Sequence, residues 1–156
     1  MKTNLIGLDK QQSLELAEKL NNLLANYQVF YMNVRGYHWN IKGKEFFELH
    51  AKFEEIYTDL QTKIDEIAER VLTLDVQPIH SFKQYLEISE IKEHTNATDG
   101  VSTMKGLVEG FSSLVSQQRQ VLGYASEVGD EGSAALMSDY IREQEKLIWM
   151  LNAWLD

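Results

Sequence analysis

The chain has 156 residues with one proline and no cysteine, is 44% hydrophobic, and sets 15 Lys and Arg against 24 Asp and Glu for a net charge of −9. That length supports one domain with its own core, and the missing cysteines exclude disulfides, thiolate chemistry and iron–sulfur clusters. The negative charge argues against a broad nucleic-acid-binding face, and the absence of a membrane-length apolar run or a signal-peptide pattern in Met1 to Lys10 leads us to expect a soluble, cytoplasmic protein.

Asp9 has the chemistry of an N-cap, and Leu16, Leu20, Leu23, Tyr27, Phe30, Tyr31 and Val34 follow at spacings of three and four. A first helix is predicted from about residue 10 to 36 or slightly beyond, with His38 at or near its C-terminal end. The short turn Asn40 to Lys44, containing Gly43, implies an antiparallel neighbour. That second helix carries Phe46, Leu49, Phe53, Ile56, Leu60, Ile64, Ile67 and Val71 on one stripe and ends at Asp75 to Pro78. Ser81 is placed to cap a short crossover helix, Phe82 to Ile88, and the polar stretch Ser89 to Asp99 reads as a linker.

Thr98 or Asp99 caps a third long helix whose apolar side is read as Val101, Met104, Val108, Phe111, Val115, Leu122 and Ala125. Gly106 and Gly110 each cost about 1 kcal/mol relative to alanine in a helix interior, so they mark close helix packing. Gly129 closes this segment, and a fourth long helix from Asp130 or Ser133 places Met137, Tyr140, Ile141, Gln144, Leu147, Ile148 and Leu151 inward. The pattern predicts an all-α fold: a four-helix bundle, residues 1–156 as a single domain, with the crossover between the second and third long helices.

On the second helix, His50 and Glu54 form one i, i+4 pair and Asp65 and Glu69 another, with His38 arriving from the preceding segment. Two imidazoles and three carboxylates without thiolates suit an iron-type divalent site better than structural zinc. At about 100° per residue, the four second-helix candidates span roughly 100° of arc beside the apolar stripe, so they flank the core. The two pairs centre roughly 22 Å apart along the helix, too far to close on one metal within a chain. Both pairs share one midpoint, between residues 59 and 60, as do Phe47 with Leu72 and Thr58 with Gln61. A two-fold axis there would set His50 and Glu54 of one copy against Asp65 and Glu69 of another, making two equivalent sites, each completed by His38. The competing interpretation is a solvated helix flank with a histidine that only caps a helix end.

Tyr37-His38-Trp39-Asn40, Phe46-Phe47-x-Leu49-His50 and Asp65-Glu66-Ile67-Ala68-Glu69-Arg70 resemble the Dps family, the ferritin-like mini-ferritins named as DNA-binding proteins from starved cells. The resemblance covers most of the chain, down to the Trp149-containing end of the last helix, whereas the Glu-x-x-His motifs of ordinary di-iron bundles are absent. It implies a hollow dodecamer of ferritin-like four-helix subunits built from two-fold dimers. It further implies ferroxidase centres that oxidise iron(II) with hydrogen peroxide in preference to oxygen, storage of the ferric product, and protection against oxidative stress. His38, His50, Asp65 and Glu69 match the family's ligand positions, and Trp39 matches the tryptophan placed beside the centre to intercept radicals. Glu54 stands where the family usually has aspartate, one methylene shorter, and bears on the second iron position; the site could also take other divalent metals. Asp130 and Glu131, with Asp139 further along, fall where the family's acidic three-fold pores form, although acidic residues there also serve the helix macrodipole.

Other readings are a DNA-compacting protein of the same family and a helical oligomer without catalytic metal. No Lys/Arg-rich tail precedes the first helix and the net charge is −9, so DNA binding is expected to be weak or absent at physiological salt.

Overall fold

In the computed structural model, which describes residues 2–156, Asp9 accepts a side-chain hydrogen bond from the Gln12 N–H and starts α1, Lys10–Asn40. α2 spans Phe46–Thr73, and α3, Phe82–Ile88, is the expected crossover, capped by Ser81. α4, Gly100–Glu127, is capped by Asp99, and α5, Glu131–Leu155, by Asp130. The architecture is the expected all-α four-helix bundle: α1 packs along α2, α4 along α5, and α1 also meets α4 and α3. α1 runs further than the apolar pattern suggested and takes His38 into its last turn.

The core is filled by Leu16, Leu20, Tyr27 and Phe30 of α1, Phe53, Leu60 and Ile67 of α2, and Leu107, Phe111 and Leu114 of α4. On α4, Met104, Phe111, Val115 and Ala125 are buried as expected, but the inner face is shifted at other positions. Leu107, Leu114, Gln118 and Val121 are buried, whereas Val101 is exposed and Val108 and Leu122 are only half-buried. Gln118 is inside because it belongs to a polar ring within the bundle. Tyr27 Oη donates to Gln118 Oε1 at 2.5 Å, Gln118 Nε2 donates to Gln144 Oε1 at 2.8 Å, and Gln144 Nε2 donates back to Tyr27 Oη at 2.8 Å. Each member satisfies another, so α1, α4 and α5 are joined without an orphaned buried polar atom.

Gly106 and Gly110 do mark close approach. A Cβ at Gly110 would lie 2.1 Å from the Phe30 ring, and one at Gly106 would lie 2.2 Å from Tyr37 Oη. Three asparagines of α1 hold the crossover. Asn21 accepts from the Ile79 N–H and donates to the Gln77 carbonyl. Asn26 accepts from the N–H groups of Glu90 and Ile91 and from Ser89 Oγ. Asn33 donates to the Lys92 carbonyl and accepts from the His94 N–H, both at 2.9 Å. The stretch read as a linker is therefore fastened to the bundle.

At the N-terminus, residues 2–9 fold back on themselves. The Lys10 N–H donates to the Lys2 carbonyl, and Asn4 Oδ1 accepts from the N–H groups of Ile6 and Leu8. At the start of α5, Asp130 is 2% exposed and pairs with Arg70 Nη2 at 2.8 Å while accepting from Ser133. Its carboxylate is used up as cap and ion-pair partner, which corrects the pore-lining expectation for Asp130; Glu131 and Asp139 are exposed.

Candidate metal centre

The turn between α1 and α2 brings His38, in the last turn of one, against His50, early in the other. Their rings stack at 3.8 Å with 13° between planes. His38 Nδ1 lies 2.7 Å from the His50 carbonyl oxygen, and His50 Nδ1 lies 2.8 Å from the His38 carbonyl oxygen. A carbonyl can only accept, so each Nδ1 carries the proton and each Nε2 is left with a lone pair. This is the tautomer that ligates a divalent cation, fixed by the backbone hydrogen bonds typical of metal-binding imidazoles. Glu54 joins them, with Oε1 3.8 Å from His38 Nε2. One subunit therefore gathers His38, His50 and Glu54 at one end of α2.

An aromatic and cationic wall stands beside this trio. Tyr57 meets the His38 ring edge-on at 5.2 Å, and Phe46 stacks on His50 at 4.9 Å. The Arg35 guanidinium lies 4.4 Å from the Tyr57 ring centre and 4.9 Å from that of Trp39, and Nη1 donates to Tyr31 Oη at 2.9 Å. Trp39 is 57% exposed and is held at the rim by this cation–π contact. Sequence reasoning identified Trp39 but missed Arg35 and Tyr57. The available signal was spacing: Arg35 lies one turn before Trp39 and one after Tyr31.

Asp65 and Glu69 lie elsewhere. They line a broad groove beside α2 that also includes Gln61, Glu66, Ile79 and His80. Both carboxylates are exposed, and the nineteen residues from His50 to Glu69 correspond to roughly 28 Å of helix. Among the described residues, no group of three or more His, Asp or Glu side chains is arranged to hold a metal within one subunit. Glu66, between the two carboxylates in sequence, is engaged differently: it accepts from Tyr140 Oη at 2.7 Å. Burial, together with that carboxylate, holds the Tyr140 phenol well above its usual range.

Residues 17–156 match the Ferritin-like domain family. Over 148 residues the chain is 43% identical to the DNA protection during starvation protein of Porphyromonas gingivalis, covering 95% of this chain and 93% of the relative. The chain belongs to the Dps family. Its fold is also that of a solved Dps protein from Vibrio cholerae O1, described as a member of a broad superfamily of ferritin-like diiron-carboxylate proteins. The two are 73% identical with a TM-score of 0.99, and the match covers 100% of this chain and 98% of that one. A Dps protein from Bacillus brevis aligns with a TM-score of 0.90 at 36% identity, over 94% of this chain and 98% of that one.

The donor set is chemically suited to a divalent cation. Two imidazoles whose Nδ1 atoms are held by carbonyls, and a set of exposed carboxylates, offer nitrogen and oxygen donors of the kind iron(II) takes and no thiolate that would favour other metals. Phe47, 78% exposed, and Leu72, 58% exposed, are large apolar side chains left in the open near opposite ends of α2.

Proposed function

We propose that this Dps-family protein is a ferroxidase and iron store whose centres are shared between two-fold-related subunits. His38, His50 and Glu54 come from one chain, and Asp65 and Glu69 from its partner. The observation that carries this reading is the reciprocal His38–His50 lock, which fixes two Nε2 lone pairs beside Glu54 with no hydrogen-bond donor among the described residues to occupy them. The shared midpoint of the α2 pairs supplies the missing carboxylates, and the exposed Phe47 and Leu72 supply apolar contacts at both ends of the same register.

At such a centre, two iron(II) substrates give up one electron each, one hydrogen peroxide accepts both electrons with two protons, and two waters result. Taking both electrons in one event avoids releasing hydroxyl radical, which requires that the two iron ions sit side by side. The carboxylates offset the added charge on oxidation, and the imidazoles hold the ions in place. Trp39, at the rim, provides a nearby reductant for single-electron oxidants. The product is stored inside a twelve-subunit cage of the type the family resemblance implies, in the cytoplasm. The charge of −9 supports a role that does not depend on DNA binding.

The test is complementation. Apoprotein mixed with iron(II) and peroxide should form ferric product much faster than buffer. His50→Ala and Asp65→Ala should each abolish that rate, and cages assembled from both variants together should regain part of it, because some interfaces then contain one intact centre. Mixed cages as inactive as either parent would defeat the shared-site assignment, and wild-type oxidation at the buffer rate would defeat the enzyme.

A further inference from the structure

We infer that Arg35 is a positioning residue that acts between subunits, its guanidinium pairing with the carboxylate of the partner subunit's Asp65; this rests on the two-fold centre proposed above. Of the four arginines in the chain, Arg70 pairs with Asp130, Arg119 with Glu145 and Arg142 with Asp139. Arg35 meets no carboxylate among the described residues. It is half-buried and wedged between rings, 4.4 Å from the centre of Tyr57 and 4.9 Å from that of Trp39, with Nη1 donating to Tyr31 Oη at 2.9 Å. A guanidinium is flat, so its faces can stay occupied by rings while the N–H groups on its free edge take a carboxylate. The slot thus holds a charge in place and supplies no counter-charge for it.

The register names the carboxylate that arrives there. α1 and α2 run antiparallel with His38 against His50, so moving three residues back along α1 leads inward along α2, to Tyr57. An axis between residues 59 and 60 sets the partner subunit's Asp65 opposite Glu54 and the partner subunit's Thr62 opposite Tyr57, the stretch beside which Arg35 stands. Other carboxylates of that region are engaged or further out. Asp59 pairs with Lys63, Glu66 accepts from Tyr140, and Glu69 falls opposite His50, one turn beyond. Asp65 is exposed, and no cation pairs with it among the described residues of its own subunit. The pair fixes the orientation of a metal-ligating carboxylate and, before metal arrives, offsets the repulsion among Glu54, Asp65 and Glu69 as two subunits bring them together.

The test follows apoprotein by sedimentation across a dilution series, at low salt and in a fixed urea concentration that just begins to dissociate wild type. Arg35→Glu sets like charges face to face across the axis, and so does Asp65→Arg, so each variant alone should come apart at a concentration about tenfold above wild type. Mixed in equal amounts, the two should reassemble at about the wild-type concentration, because in a mixed dimer every facing pair is again one acid and one base. One of its two centres then keeps its full ligand set, so the mixture should bind about half as much cobalt(II) as wild type. Rescue by mixing is what a merely structural arginine would not give. A mixture that dissociates as readily as its parents, or either variant alone assembling like wild type, overturns the inference. If Arg35→Glu fails to fold, Arg35→Gln and Asp65→Asn decide: each should dissociate at a severalfold higher concentration than wild type and the double variant no higher than either, whereas effects that multiply overturn the pair. The His50→Ala and Asp65→Ala mixture separates the two levels. Active mixed cages beside charge-swapped chains that stay apart overturn the role of Arg35 alone, and inactive mixed cages overturn the shared centre and this inference with it.

Discussion

At the scale of single residues, the candidate centre divides into groups that chemistry alone makes visible and groups that only the fold reveals. His38, His50, Glu54, Asp65 and Glu69 can be proposed from the sequence because they are ligand types at helical spacing, and the distance between the pairs is what motivates a second chain in that proposal. The contacts of Arg35 and Tyr57 were not readable, because what they touch is set by the meeting of α1 with α2. Glu54 offers a direct test of the division between ligand and surface charge. Its side chain is 60% exposed, and its polar contact is with His38. Glu54→Ala should leave folding stability within about 0.5 kcal/mol, as for an ordinary surface change. In calorimetric titration the same variant should lower the number of metal ions bound per centre. Unchanged metal stoichiometry would return Glu54 to the solvated flank.

At the scale of elements, the helix boundaries were legible because caps and punctuation are local chemistry: Asp9, Ser81, Asp99 and Asp130 each cap the helix they precede. The phase of α4 was not, because its inner face includes Gly110 and Gln118, which an apolar pattern skips. Gln118 is buried because it serves the ring with Tyr27 and Gln144, and that ring makes stability depend on alkaline pH. Burial foremost holds the Tyr27 phenol far above its usual range in the folded protein. The unfolded chain therefore ionises this group near pH 10 while the folded chain does not. The contribution is complete below about pH 10 and is lost as pH rises towards the folded value, at up to about 1.4 kcal/mol per pH unit for each such group. Tyr37 and Tyr140 act in the same direction. Urea midpoints should fall steeply between about pH 9 and pH 11. Tyr27→Phe should flatten that fall while costing about 1–3 kcal/mol at neutral pH, since Gln118 and Gln144 lose a buried partner. An equally steep fall in Tyr27→Phe would remove Tyr27 as its source.

At the scale of the whole molecule, the subunit presents apolar side chains that its own fold does not cover. Phe47 and Leu72 stand open on α2, and Met32, Phe82 and Leu86 stand open on α1 and α3. The α2 register makes a specific statement about the first pair, because a two-fold between residues 59 and 60 sets Phe47 of one copy opposite Leu72 of the other. Phe47→Lys and Leu72→Glu should each reduce the assembled mass measured by light scattering, and the double variant should recover it, since the new charges then meet at both ends of the interface. Equal disruption in the double variant would reject this register. Closure into the proposed cage is not legible in the same way, because the angles between copies would depend on surfaces that no helical period encodes.

The asparagine clamps on α1 have a consequence for how this chain can change. Asn21, Asn26 and Asn33 engage the crossover chiefly through its peptide groups. A grip on main-chain atoms is blind to the side chains it passes. The exposed Glu90, Lys92 and Glu93 can thus drift in sequence while their path stays fixed, and the instructions for that path are written at a distance, in three amides of another helix.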